Sequence, residues 1–219
     1  MKTYFDVGAN DGTWGLEMLK NNPMDRCFAF EPTPKLISII KKKSIGMNNY
    51  ILIEKAVSDV AGIANFNISG QADWGCSSLL DFKDQEMIKK TWPGRFDIKK
   101  TSEIIVECVT IESIINMYNI TSIDHLHCDA QGMDLKVLQS FGNKINILQS
   151  GVIEAATSQY LAIYTNQIST VDVCVSWLIQ NGFVIEGIGS TPPVGTICKD
   201  NKITININTN EENIWFKRI

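Results

Sequence analysis

The chain has 219 residues, 44% hydrophobic and 20% charged, with a net charge of −4, the composition of an ordinary globular domain able to bury a full core. Its acidic balance leaves no electrostatic footprint for nucleic acid or an anionic membrane, and no apolar run approaches the ~18 residues of a membrane span. Six cysteines stand singly, at 27, 76, 108, 128, 174 and 198, with no CxxC pair and no signal peptide ahead of them. Buried reduced thiols in a reducing, cytoplasmic setting are therefore expected.

The first element is carried by "YFDVGANDGTWG" (4–15). Tyr4 to Val7 reads as the end of a buried strand, Gly8 to Gly12 as a turn, and Leu16 and Leu19 as the start of a helical stripe. "RCFAFEP" (26–32) is a second strand ending on Glu31. "TPKLISIIKKK" then forms a helix with Thr33 as N-cap, Pro34 at its first position and Leu36, Ile37 and Ile40 on one face. Lys41-Lys42-Lys43 is the solvated end of that helix rather than a binding patch. "NYILIEKAVSD" (49–59) is a third strand running into a loop. Two βαβ units in the first 60 residues point to an α/β, Rossmann-like, doubly wound parallel sheet.

Residues 62–109 break this rhythm. "GIANFNISG" and "EIIVECVTI" read as extra strands around a polar stretch holding Trp74, Ser77, Ser78 and Trp92, an insertion suited to shaping a substrate pocket. The alternation resumes with the strand "IDHLHCDA" (123–130) and the helix "MDLKVLQSFG", which places Leu135, Leu138 and Phe141 on one face and closes at Gly142. "ILQSGVIEAA" (147–156) is another strand, and "STVDVCVSWLIQNG" an amphipathic helix stopped by Gly182. "FVIEGIG", "ITININ" and "NIWFKRI" finish the chain, the last two as an antiparallel hairpin at the sheet edge. Residues 1–219 form one domain. It begins on its first strand after only Met1-Lys2-Thr3, which suits either a piece of a longer multidomain chain or a compact version without a leading segment.

A strand, a glycine turn and a helix start make a nucleotide-cofactor site. A dinucleotide fingerprint needs GxGxxG, yet Asn10 stands where the second glycine belongs, and Asp6 and Asp11 would repel a pyrophosphate. S-adenosylmethionine, with its ammonium, carboxylate and sulfonium groups, fits such a loop better. Asp6 is expected to meet the amino group through water or backbone, and loop N–H groups the carboxylate. Glu31, about 20 residues beyond the turn, is placed to accept both ribose hydroxyls. Ala9, Thr13 and Pro32 complete the loop and strand-end set, while Ala56, Val57 and Ser58 follow the third strand where adenine would lie.

"YFDVGANDGTWG", "FAFEPTP", "AVSD", "SSL" and "IDHLHCDAQGMDLKVLQSFG" occur in the order and spacing of the FkbM-type methyltransferases, which the chain resembles over roughly residues 3–155. The family's Lys-x-Asp-x-Glu-Gly-x-Glu pattern is met here by His127, Asp129, Gln131, Gly132 and Asp134, so Lys becomes His127 and the middle Glu becomes Gln131. The resemblance implies a class I fold, a seven-stranded sheet parallel except for one strand near its C-terminus. It also implies S-adenosylmethionine as methyl donor, leaving S-adenosylhomocysteine, and methylation of oxygen, often on sugars, polyketides or similar metabolites. Ser77 and Ser78 match the family's "SSL" and would help close the cofactor pocket. Gln131 binds a hard cation less well than Glu, so no metal is expected.

Methyl transfer to a hydroxyl wants a positioned base. Asp129, an acid at the carboxyl end of an otherwise apolar strand, is the first candidate. Strand alternation puts His125, His127 and Asp129 on one face, making His127 a candidate helper, while His125 reads as a satisfied core histidine. Glu154 could orient the substrate or share the base role. Trp74, Trp92 and Tyr160 are candidate sugar platforms, and Trp177 is packing. The leading expectation is an O-methyltransferase on a sugar or glycan hydroxyl, with glycosyltransferases as natural companions. A polyketide, lipid or small-metabolite acceptor and a non-catalytic binding module are the alternatives, and a dehydrogenase is disfavoured by Asn10.

Overall fold

The computed structural model describes residues 1–70, 74–189 and 209–219, with the Trp74 side chain outside the description. Its main sheet has seven strands in the order β3-β2-β1-β7-β8-β10-β9. These are β1 (Thr3–Val7), β2 (Arg26–Phe30), β3 (Tyr50–Ile53), β7 (His125–Cys128), β8 (Ser150–Ala156), β9 (Phe183–Ile188) and β10 (Glu211–Arg218). The pairs β1–β2, β2–β3, β1–β7 and β7–β8 are parallel, and β10 runs antiparallel to both β8 and β9.

Every residue of β1 is buried, and period-2 alternation divides them between two cores. Phe5 and Val7 join the larger core with Phe28 and Phe30, under the apolar faces of α4 (Ile111–Met117), α5 (Asp134–Gln139) and α6 (Val171–Gln180). Tyr4 turns to the other face, where Leu16 and Leu19 of α1 (Thr13–Asn21) and Ile40 of α2 (Pro34–Lys43) pack. Asp6 falls on this second side and is completely buried. An acid held there needs partners inside the protein.

The insertion folds as a separate three-stranded sheet, β4 (Ala56–Val57), β6 (Lys100–Val109) and β5 (Gly62–Ser69), with α3 (Gln85–Thr91) between β5 and β6. The expected strand over 49–59 is thus divided. The chain turns after Ile53, with the Lys55 N–H donating back to the Ile53 carbonyl, and Ala56–Val57 pair with β6 instead. Short bridges from Asn67 to Ser78 and from Phe82 to Tyr164 tie the insertion to itself and to the loop after β8.

Other boundaries shift for local reasons. The fourth-strand helix stops at Gln139, two residues before the expected Phe141, and Gly142, at φ 51, begins a 3-10 turn rather than closing an α-helix. Neither α3 nor α4 was expected. Each is seven residues long and is started by a side-chain cap, Asp84 accepting from Glu86 N–H and Thr110 from Ser113 N–H. "NIWFKRI" is not at the sheet edge. Paired on both sides, β10 drives Ile214 and Phe216 into the core, and β9 is the edge strand. "ITININ" and Cys198 lie outside the described residues. The other five cysteines are buried and form no disulfide among the described residues. Among the described residues, no helix is long and apolar enough to cross a membrane.

One contact sets the spacing of the central strands. Gly8 follows β1 at φ 79, and a Cβ there would meet the Asp129 carbonyl oxygen at 2.0 Å. Gly8→Ala therefore combines left-handed strain of ~1–2 kcal/mol with a backbone clash. A loss of at least ~2 kcal/mol is expected in urea unfolding, read as a lower midpoint at unchanged m-value.

Candidate functional site

The carboxyl ends of β1, β2 and β7 open into two adjoining clefts. The first holds about 600 Å³ of space including its mouth, and is walled by Val7, Gly8, Asn10, Glu31, Pro32, Thr33, Leu36, Ala56, Val57, Phe66, Ser77, Asp129 and Gln131, among others. The second is lined by Asp6, Gly8, Ala9, Asn10, Asp11, Thr13, Trp14, His127 and Asp129, with Leu36 and Ile39. Gly8, Asn10, Leu36 and Asp129 belong to both.

The glycine turn is anchored to β2. Gly8 and Ala9 N–H both donate to the Phe30 carbonyl, at 3.1 and 3.0 Å. Glu31 then accepts from Asn10 N–H at 3.0 Å through Oε2 and from Thr33 N–H at 2.8 Å through Oε1. One carboxylate thus holds the turn and the start of α2 together and still faces the first cleft. Burial pushes its proton affinity up to about 7, against the pull of the Thr33 and Asn10 hydrogen bonds. Asn10 itself adopts φ 51, a left-handed conformation that asparagine tolerates better than most residues.

Asp6 is spent inside the protein. Its Oδ2 accepts from Gly15 N–H at 3.3 Å, and its Oδ1 lies 2.9 Å from His127 Nδ1. Because a carboxylate can only accept, Nδ1 of His127 carries the proton. Trp14 stacks on the His127 ring, centroids 4.7 Å apart and planes 12° apart, and less closely on His125. Burial alone would lower the His127 pKa, but the Asp6 hydrogen bond and the charges of Asp6, Asp129 and Asp134 turn the shift upward. His125 is different. Burial lowers it to about 4, and it lies 2.9 Å from Ser150 Oγ, whose hydroxyl donates to Asp124 O. It is half-buried rather than in the core, and is tied to Ser150 through Nδ1 outside both clefts.

Beyond the clefts lies a cluster of acids. Gln131 Nε2 donates to Asp129 Oδ1 at 2.6 Å and to Glu154 Oε2 at 3.2 Å, so one amide spans both carboxylates. The Tyr164 hydroxyl sits 2.6 Å from the Cys76 carbonyl and 2.9 Å from Gln131 Oε1, which fixes the amide from behind. Burial raises the proton affinity of Asp129 and Glu154, and their mutual repulsion raises Glu154 further. Asp134, fully buried, is raised to about 7 by burial and by the Asp129 charge. Glu211 reaches about 8 by burial and the charges of Asp129 and Asp134. Among the described residues, no group of three or more His, Cys, Asp or Glu side chains has an arrangement able to hold a metal ion.

Most of the residues singled out in the sequence converge here. Four do not line either cleft, one of them Glu154, which reaches the site through Gln131. Gly12 caps α1 and is packed against Tyr50 and Ile40. Ser58 turns toward Asp59, to which its hydroxyl donates. Ser78 holds the site from outside, donating to the Gln131 carbonyl at 2.7 Å. Trp92 and Tyr160 stand away from the clefts. Trp92 donates through its indole N–H to Leu161 O and, with Lys90, Thr91, Pro93, Thr209 and Asn210, lines a third opening that ends on Glu211. Tyr160 is half exposed beneath Lys90, and Trp177 packs on the core. Trp14, Tyr164 and Glu211 were not anticipated. Trp14 sits in the quoted turn motif, whereas nothing local marks Tyr164 or Glu211, which arrive from the loop after β8 and from the start of β10.

The chain is similar to several known proteins. A curated relative, the 2-O-methyltransferase NoeI of Sinorhizobium fredii, is 28% identical over 137 residues, which are 61% of this chain and 54% of the relative. The chain thus spans about half the length of the curated relative it matches. Among solved structures, a fibrillarin/Nop5p complex aligns at TM-score 0.49 and 13% identity, covering 100% of this chain and 73% of that one. Precorrin-6y C5,15-methyltransferase from Geobacter metallireducens aligns at 0.47 and 14%, covering 100% and 80%. The methyltransferase FkbM domain model matches residues 6–183, and with that match the chain belongs to the FkbM family of S-adenosylmethionine-dependent methyltransferases.

Proposed function

We propose that this methyltransferase acts on a hydroxyl oxygen of a sugar or glycan, with Asp129 as the base that takes the hydroxyl proton. The observation that carries the reading is that Asp129, a wall of both clefts, is held by Gln131, whose amide also reaches Glu154 behind it. An oxygen nucleophile must lose a proton as it reacts, and a carboxylate with raised proton affinity is suited to receive it. The name of the curated relative supports oxygen as the acceptor atom.

The residues present fit the cofactor. Glu31 uses its two oxygens on two N–H donors and keeps acceptor capacity toward the cleft, which suits a ribose diol. Ala56, Val57, Leu36 and Phe66 supply apolar walls for a purine. Gly8 leaves no room for a side chain between turn and strand end, so the backbone itself meets the ligand. When bound, S-adenosylmethionine supplies a methyl group activated by its sulfonium.

The chain's own groups do the rest. Gln131 holds the Asp129 carboxylate in one orientation, and Glu154, by burial and repulsion, keeps a proton more readily than Asp129 and leaves it the acceptor. Proximity and alignment in this walled site supply most of the rate. The opening beside Trp92, which ends on Glu211, offers an aromatic and an acid to a sugar approaching the acid cluster. Buried cysteines that form no disulfide among the described residues suit a reducing, cytoplasmic setting, and glycosyltransferases are suitable suppliers of the acceptor.

Three outcomes follow. Incubated with the methyl donor and a panel of deoxysugar glycosides, polyketides, hydroxylated lipids and simple phenols, the protein should yield a methyl ether on the sugar, located by mass spectrometry. Ethers only on a non-sugar acceptor would overturn the glycan reading and keep the hydroxyl one. Asp129→Asn should lower kcat about 10²–10⁴-fold while affinity for 5′-methylthioadenosine, which lacks the amino-acid end, changes less than about threefold. Finally, Glu31 accepts ribose hydroxyls best when ionised, and its pKa is about 7. Nucleoside affinity should therefore rise from pH 6 to pH 8, and Glu31→Gln should abolish that rise.

A further inference from the structure

The second cleft has a cationic edge that the proton-transfer chemistry does not use. The His127 ring is fixed on three sides: Nδ1 donates to the buried Asp6, one face lies on Trp14, and the backbone is locked in β7 against β1. Its remaining polar atom, Nε2, makes no hydrogen bond among the described residues, and the side chain keeps 28% of its surface exposed as part of the cleft wall. A ring whose Nδ1 proton is engaged offers Nε2 outward, as an acceptor when neutral and as a charged donor when protonated. Asp129 follows on the same side of the chain, two residues on and therefore ~6.6 Å away along a strand. Cation and anion thus stand side by side in one cleft continuous with the nucleoside cleft.

That pattern matches the zwitterionic end of an amino acid. We propose that His127 binds the carboxylate of the cofactor's methionine portion through Nε2–H, and that Asp6 is the positioning residue that orients and charges it. His127 is then a cofactor-binding residue rather than a helper base. Asp6, sealed from ligand, acts only through the imidazole. The inference rests on the family's cofactor and is independent of which hydroxyl accepts the methyl group.

The charged groups around the ring come from every neighbouring element: Asp6 on β1, His125 on β7 and Asp129 just after it, Asp134 on α5, and Asp11 across the cleft paired with Lys43 at 2.6 Å. The acids outnumber the one neutral histidine and favour the protonated ring. As pH rises through the His127 titration, the charged donor is lost and so is its hold on a carboxylate.

Calorimetry with two ligands isolates this contact. S-adenosylhomocysteine carries the amino-acid end, and 5′-methylthioadenosine lacks it, so the ratio of their dissociation constants reports the tail alone and cancels the Glu31 contribution. In the unmodified protein the tail advantage should fall about tenfold between pH 6 and pH 8.5, tracking the His127 resonance in NMR. H127Q should remove about tenfold of that advantage at pH 6 with methylthioadenosine affinity held within twofold, and H127K should retain it at both pH values. Asp6→Asn should lower the midpoint of the fall. A tail advantage that does not vary with pH, or an H127Q loss shared equally by both ligands, overturns the proposal. Because the pH series uses the unmodified protein, it decides even where a variant fails to fold. Absence of binding by both ligands would instead overturn the cofactor assignment itself.

Discussion

The close approach of Gly8 to the Asp129 carbonyl governs the active end of this molecule. With 2.0 Å between that oxygen and any added Cβ, β1 and β7 finish side by side, and the turn after β1 lies directly against the start of the loop after β7. Gly8 and Ala9 are in turn hung from the Phe30 carbonyl of β2. Three strand ends are therefore drawn to one point, and Asp129 becomes a wall of both clefts. Open α/β sheets bind ligands at such convergences of strand ends. Here the convergence depends on one position that tolerates no side chain.

Around that point the charges are divided by depth. On the α1 side, a buried acid, Asp6, is answered by His127 and the Gly15 N–H. On the β8 and β10 side, Asp129, Asp134, Glu154 and Glu211 crowd together, and burial drives their proton affinities up, for Glu211 against the pull of Arg95. An imidazole whose protonated form the surrounding acids favour on one flank, and proton-hungry carboxylates on the other, give the site two unlike sides. Gln131 is central to the second flank. A glutamate there would add a further negative charge, whereas its amide donates to both Asp129 and Glu154.

How much of this the sequence disclosed depended on distance along the chain. The β1 turn, Glu31 and the β7 acid are each marked by a local pattern, because a glycine at positive φ, a strand-end carboxylate and an acid in an apolar run have local physical causes. Asp6 was legible as important but not in its role. Only the register Asp6↔His127 across β1 and β7 reveals that the carboxylate is consumed internally. Ser58 follows its strand in sequence yet faces elsewhere, since Ala56–Val57 leave the main sheet for the smaller one. Tyr164 and Glu211 lie 33 and 80 residues from Gln131, and no periodicity links them to it; packing of the loop after β8 and of β10 brings them in. Helices α3 and α4 are single short runs whose stability comes from caps and tertiary contacts rather than from propensity.

The most direct measurement is a crystal structure with S-adenosylhomocysteine bound. The geometry described here requires both ribose hydroxyls on Glu31, the adenine beside Ala56 and Val57, and the amino-acid end running past Gly8 into the cleft beneath Trp14. A ligand lying with its adenine in the second cleft, or a Glu31 carboxylate without a ribose contact, would contradict it.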